Sequence, residues 1–163
     1  MKKKFNTELF STGAEFFVLS KLLLNHIEAH KSYVNFEGYD LIAINPKENI
    51  SAKIQVKSKN HKGDTGHYLN SDDKVKSDFY IFVQSNAYIK EKDSYRVVED
   101  SEASPKFFVM DFKTVLKLRS QDKNGGLYIK LNKKNIPNLE DYKGNFKTIK
   151  SFLKIDEKNI QRL

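Results

Sequence analysis

Cysteine is absent from this chain of 163 residues, which excludes disulfides and thiolate-bound metals together. A cytoplasmic setting is the default for such a chain. Tryptophan is also missing, and proline occurs only three times. Long apolar runs are lacking. Met1 to Glu8 begins with three lysines and holds no stretch that could act as a signal peptide. The most apolar segment, between Glu8 and His30, is interrupted by Ser20, Lys21, Asn25 and His26, so no membrane span is expected. No glycine-rich phosphate loop and no nucleophile elbow is present. Internal repeats and low-complexity linkers are missing as well.

Arginine is scarce: only Arg96, Arg119 and Arg162 stand among 29 basic residues. The net charge of +8 points to a polyanionic partner. A lysine-, asparagine- and isoleucine-rich composition is also what an AT-rich genome produces, so distribution says more than the sum. Residues 1–63 carry 10 basic against 6 acidic groups, residues 64–105 carry 5 against 9, and residues 106–163 carry 14 against 6. An acidic middle between basic ends fits a molecule with one phosphate-facing side.

The length suits a single domain with one core. Phe16, Leu19, Leu23 and Ile27 recur at helical spacing, and Thr12-Gly-Ala-Glu15 has the form of a capping box, so a helix is expected from Thr12 or from Thr7. Strands are expected at 33–36, 39–45 and 50–58. Residues 60–77 read as a loop that includes His61, His67 and Asp72-Asp73. His26 and His30 are read on one helix at i, i+4. The nearly continuous apolar run Asp78–Ser85 reads as a central strand covered on both faces. Residues 90–105 read as an exposed connection. A strand at 106–110 leads to a helix near 111–118 capped by Asp111, then Gly125-Gly126 turns into a strand at 127–131. A helical tail from Asn138 to Leu153 closes the domain. The class is α/β (mixed α+β): a central mixed sheet flanked by helices, within one domain over residues 1–163.

Pro46-Lys-Glu-Asn49 has the chemistry of a tight turn. Pairing Asn45 with Ile50 places Asp40 opposite Gln55, with Lys57 two residues on along the same face; opposed side chains sit about 5 Å apart. The other face carries Tyr39, Leu41 and Ala43 against Ala52, Ile54 and Val56, a core. A carboxylate, an amide and an ammonium thus gather beside a hydrophobic wall, the arrangement of a metal-assisted hydrolytic site. Taken alone, Lys53, Gln55 and Lys57 alternating with apolar neighbours describes any half-solvated strand. The conjunction with Asp40 carries the functional reading.

A helix bearing Glu15, then Gly38-Tyr-Asp40-Leu-Ile, then Ile54-Gln55-Val-Lys57-Ser resembles the PD-(D/E)xK, or restriction-endonuclease-like, nuclease superfamily. Tyr39 stands where the proline of the motif's name would be, and Gln55 replaces the second acid. The resemblance covers about residues 8–85, leaving about 106–163 as a C-terminal elaboration, and implies an αβββαβ core. It implies that Asp40, Gln55, the Val56 carbonyl and Glu15 hold Mg²⁺ or Mn²⁺, and that Lys57 acts on the attacking water. Asp40, Gln55, Lys57 and Glu15 are then the catalytic candidates; as the end of a capping box, Glu15 has a local role as its alternative. Lys53 and Lys59 are candidate nucleic-acid contacts. Lys2–Lys4 and the late lysines Lys130, Lys133, Lys134, Lys143, Lys147 and Lys150 could follow a phosphate backbone. The implied activity is hydrolysis of DNA phosphodiesters by a metal-dependent endonuclease, with RNA and a homodimer left open. The rival reading keeps the fold as a catalytically inactive nucleic-acid-binding or protein-interaction domain.

Overall fold

The computed structural model describes residues 6–32, 38–60, 66–69, 77–85, 88–90, 95–97 and 104–156. Helix α1 (Thr7–Leu24) starts earlier than the capping box at Thr12 implies. Asn6 caps it, its side-chain oxygen accepting from Leu9 N at 2.9 Å, and asparagine outranks threonine at this position. Glu15 therefore lies well inside the helix. Ala14, Val18 and Leu22 form the buried stripe, whereas Phe16 and Leu23 of the expected stripe are 47% and 50% exposed. Apolar residues surround much of this helix, and only the side that meets the sheet decides which of them are buried. The helix ends at Asn25, and His26 takes φ 58° to turn the chain.

That turn leads into strand β1 (Glu28–Lys31), followed by β2 (Leu41–Asn45) and β3 (Ile50–Asn60). The strand expected at 33–36 falls outside the described residues, as do Lys2–Lys4, His61 and Asp72-Asp73. His26 and His30 do not share a helix: one sits in the turn and the other on β1. The β2–β3 hairpin has the expected register, Asn45 opposite Ile50, and Asn49 N donates to Pro46 O at 3.4 Å across the turn.

Within the segment read as a loop, β4 (Gly66–Tyr68) is a strand. Strand β5 (Phe79–Ser85) follows, then β6 (Tyr88–Lys90), β7 (Tyr95–Val97) and β8 (Lys106–Asp111). The short β6–β7 hairpin occupies part of the stretch read as an exposed connection. Helix α2 (Phe112–Leu118) is capped by Asp111, which accepts from Thr114 N at 2.7 Å. Strands β9 (Ser120–Gln121) and β10 (Leu127–Lys130), a 3-10 turn at Leu139–Tyr142 and helix α3 (Lys147–Phe152) complete the described chain.

The main sheet has the order β1-β2-β3-β5-β8, and β3 and β5 are its parallel pair. The fold is thus mixed α/β, a five-stranded mixed sheet flanked by helices. Of the implied αβββαβ core, α1, β1, β2, β3 and β5 are present in that order. Residues 70–76, where the second helix of that pattern would lie, are outside the described residues. One core joins α1 and α3 to Leu41, Ala43, Ile54, Ile81 and Val109. A second, on the opposite face, joins Tyr80, Phe82, Phe108 and Met110 to Val115 of α2 and to Ile129 of β10. Each large side chain so buried contributes about 1.5–3 kcal/mol. No described helix is long and apolar enough to cross a membrane.

Candidate active site

Strand β2 stops at Leu41, one residue short of Asp40, and that early end creates the site. Gly38 adopts φ 107°, a conformation that glycine takes without penalty, and brings the chain round to Asp40. The Ser77 hydroxyl donates to the Gly38 carbonyl and ties this turn to the approach to β5. Backbone bonds fix Asp40 on both sides. Its N–H donates to Ile54 O at 2.9 Å, and its carbonyl accepts from Ser32 N at 2.9 Å.

The Asp40 side chain then reaches across to β3. Its Oδ2 accepts from Gln55 Nε2 at 2.5 Å and from Val56 N at 2.7 Å. Beyond Leu41, β2 offers Val56 N–H no ladder partner, and the carboxylate takes that place. Gln55 is only 8% exposed. As placed, its amide nitrogen rather than its oxygen faces Asp40, so here it acts as a donor that orients the carboxylate.

Charges of both signs surround this carboxylate. Burial pushes the Asp40 carboxyl above the usual value of 3.8; the Val56 hydrogen bond opposes the shift, Glu15 adds to it, and Lys57 and Lys31 pull it down. Burial lowers the Lys57 ammonium below 10.5, against the attraction of Asp40. Glu15 on α1 forms an ion pair with Lys31 on β1, both side chains largely buried. The Lys31 ammonium also lies 5.5 Å from the centre of the Phe16 ring. Two acids and two lysines, from α1, β1, β3 and the turn before β2, thus share one partly desolvated corner.

The structure brings Asp40, Gln55, Val56 and Lys57 together and sets Glu15 within electrostatic reach of Asp40. Lys53 and Lys59 stand apart from this group. Exposed Lys53 lies over the Tyr39 ring at 5.6 Å, and half-buried Tyr39 is not the core residue that alternation implied. Lys59 donates to Gly66 O at 2.6 Å. Sequence reasoning missed Lys31. Its signal was the brief alternation of buried Ala29 between exposed Glu28 and His30, too short to read as a strand.

Among the described residues, no three histidine, aspartate or glutamate side chains form a metal cage. The oxygens that could hold a cation are instead the Asp40 and Glu15 carboxylates and the Val56 carbonyl, joined by the Gln55 amide oxygen only if that amide turns over. All are hard oxygen donors, which fits Mg²⁺ or Mn²⁺, ions that keep several waters, better than a nitrogen- or sulfur-loving metal. The electrostatics agree with that fit: Asp40 is destabilised as an anion both by burial and by Glu15, a state that an added cation relieves.

No protein-family description matches the chain, and no curated protein is similar to it in sequence. Its fold is similar to that of a solved bacterial homing endonuclease, I-Ssp6803I. The likeness covers 100% of both chains with a TM-score of 0.55 at 18% identity. The chain therefore has a fold found in a nuclease.

Proposed function

We propose that this protein is a divalent-metal-dependent DNA endonuclease of the PD-(D/E)xK type, with Gln55 in the position of the second acid. The observation that carries this reading is the Asp40 carboxylate, held by Gln55 Nε2 and Val56 N and faced by Lys57 and Glu15. The homing endonuclease that shares the fold supports it.

Asp40 and Glu15 would supply the charged ligands for Mg²⁺ or Mn²⁺, with the Val56 carbonyl as a neutral one. Gln55 would join them through Oε1 after a half-turn of its terminal amide, a soft torsion. The bound cation supplies charge to offset a phosphoryl group and acidifies water. Lys57, whose ammonium gives up its proton more easily than a free lysine, orients the attacking water and moves its proton. Gln55 fixes the carboxylate, and the ion pair with Lys31 holds Glu15 in place on α1. A duplex has two strands to cut, and pairing of two copies would supply two sites. Leu9, Phe16 and Leu23, exposed at heptad spacing on α1, offer one apolar surface for it.

The test is cleavage of plasmid DNA in Mg²⁺ or Mn²⁺. Cutting by the wild-type chain, stopped by EDTA and by Asp40→Ala, is expected. Salt-sensitive DNA binding without cutting in either metal would instead favour the inactive binding domain, for which the neutral, donating Gln55 speaks.

A further inference from the structure

The small sheet β4-β10-β9 has no part in the site above, yet a hydrogen bond attaches it to the site's own strand. Lys59 lies two residues beyond Lys57 on the same face of β3, roughly 6–7 Å along the strand. Its ammonium donates to Gly66 O at 2.6 Å and so fastens β4 to β3. The register Tyr128–Tyr68, Ile129–His67 and Lys130–Gly66 then divides the small sheet into two faces. Ile129 and His67 point inward, and His67 packs edge-on against Phe82 with centroids 5.3 Å apart. Tyr68, Tyr128 and Lys130 share the outward face, where Tyr68 is 61% exposed. With Lys59, Gly66 and Asp122 they line a depression of about 250 Å³.

The charge of this region is one-sided. Residues 119–134 hold five basic groups (Arg119, Lys123, Lys130, Lys133 and Lys134) against one acid, Asp122. That acid is engaged locally: it accepts from Gly126 N at 2.7 Å and from Asn124 N at 2.9 Å, and the Tyr68 hydroxyl donates to it. All four lysines are exposed. The aromatic geometry distinguishes a backbone contact from a base-stacking platform. Tyr68 and Tyr128 are tilted by 54° to one another, and the Lys130 ammonium sits over the Tyr128 ring at 5.4 Å. Stacking of successive bases needs open and roughly parallel ring faces. A lysine braced on an aromatic ring at a basic surface suits phosphate oxygens.

We propose that the β4-β10-β9 sheet binds the sugar–phosphate backbone of duplex DNA beside the scissile position, with Lys130 as its central contact. This rests on the nuclease reading only for what happens at the neighbouring Asp40 site.

The experiment is fluorescence anisotropy of the full chain with labelled duplex DNA in EDTA, across a salt series. Lys130→Ala is expected to weaken binding several-fold and to reduce the slope of log affinity against log salt by about one. Lys130→Ala/Lys133→Ala should weaken it further, whereas Lys47→Ala, in the distant β2–β3 turn, should not change it. Unfolding midpoints for each variant distinguish lost contact from lost fold. Unchanged affinity and slope in the double variant overturn the proposal. So does tighter binding of single strands that depends on Tyr68 more than on Lys130, because that is stacking. Loss of affinity in the lysine variants together with absence of cleavage by the wild-type chain would sink the nuclease reading and leave this one standing.

Discussion

Strands β3 and β5 lie side by side in parallel register, with Gln55 beside Tyr80 and Lys57 beside Phe82, yet one is polar where the other is closed. Every β5 residue but Gln84 is buried, with Tyr80 and Phe82 in the second core and Phe79, Ile81 and Val83 in the first. In β3 the matching positions hold an amide and an ammonium that are themselves largely removed from water. The difference arises on β3's other flank. There β2 stops at Leu41, and the Asp40 carboxylate meets the backbone and side chain that the missing strand would have covered. A buried polar group persists where a specific partner satisfies it, and Asp40 is that partner.

The comparison breaks most completely if the polar line of β3 is removed. Lys57→Ala is expected to lower the rate of metal-dependent DNA cleavage by about 10²–10⁴-fold, measured in single-turnover assays, if Lys57 handles the proton. Cleavage at the wild-type rate would exclude that role. On β5 the corresponding change attacks the fold instead. Phe82→Ala should cost about 3–5 kcal/mol in chemical denaturation, since Phe82 is fully buried between β3 and β8.

A subtler change adds charge to the polar line. Gln55→Glu places a second carboxylate against Asp40 in a site already short of water, which should destabilise the metal-free chain by about 1–3 kcal/mol. Millimolar Mg²⁺ should recover that loss, read as a rise in thermal midpoint larger than in the wild type. An equal response in both chains would show that position 55 does not meet the cation.

The smallest effect concerns Lys57 as a stability cost. Its folded-state pKa is lowered below 10.5, so the unfolded chain binds its proton more tightly. Stability from this group therefore rises as pH climbs through the folded-state value toward 10.5, and the penalty is present at neutral pH. Lys57→Met should stabilise the chain by about 1 kcal/mol at neutral pH. That advantage should shrink as pH approaches 10.5, followed by thermal unfolding. Asp40, raised above 3.8, shows the opposite dependence: its contribution declines as pH rises from 3.8 through its folded-state value.

Much of this was legible from local chemistry. The Pro46–Asn49 turn set the β2–β3 register, the apolar run through Phe79–Val83 marked a central strand, and Asp111 announced a helix start. Each rests on residues adjacent in sequence. Strand β1 and its Lys31 were not legible, because four residues of alternation carry too little signal and pairing with β2 stabilises them. The start of α1 stayed open between Thr12 and Thr7 because two capping signals compete, and Asn6, the better acceptor, decides for Thr7.

By itself the sequence determined the polar line of Gln55 and Lys57 opposite Asp40, since period-two alternation and a short turn leave little freedom of register. Only the tertiary structure decided how deeply that line is buried, that Glu15 and Lys31 meet beside it, and that a second sheet fastens to its far end at Lys59. Burial, and with it the shifted proton affinities of Asp40 and Lys57, depends on which distant elements pack against a strand, and no local pattern encodes that.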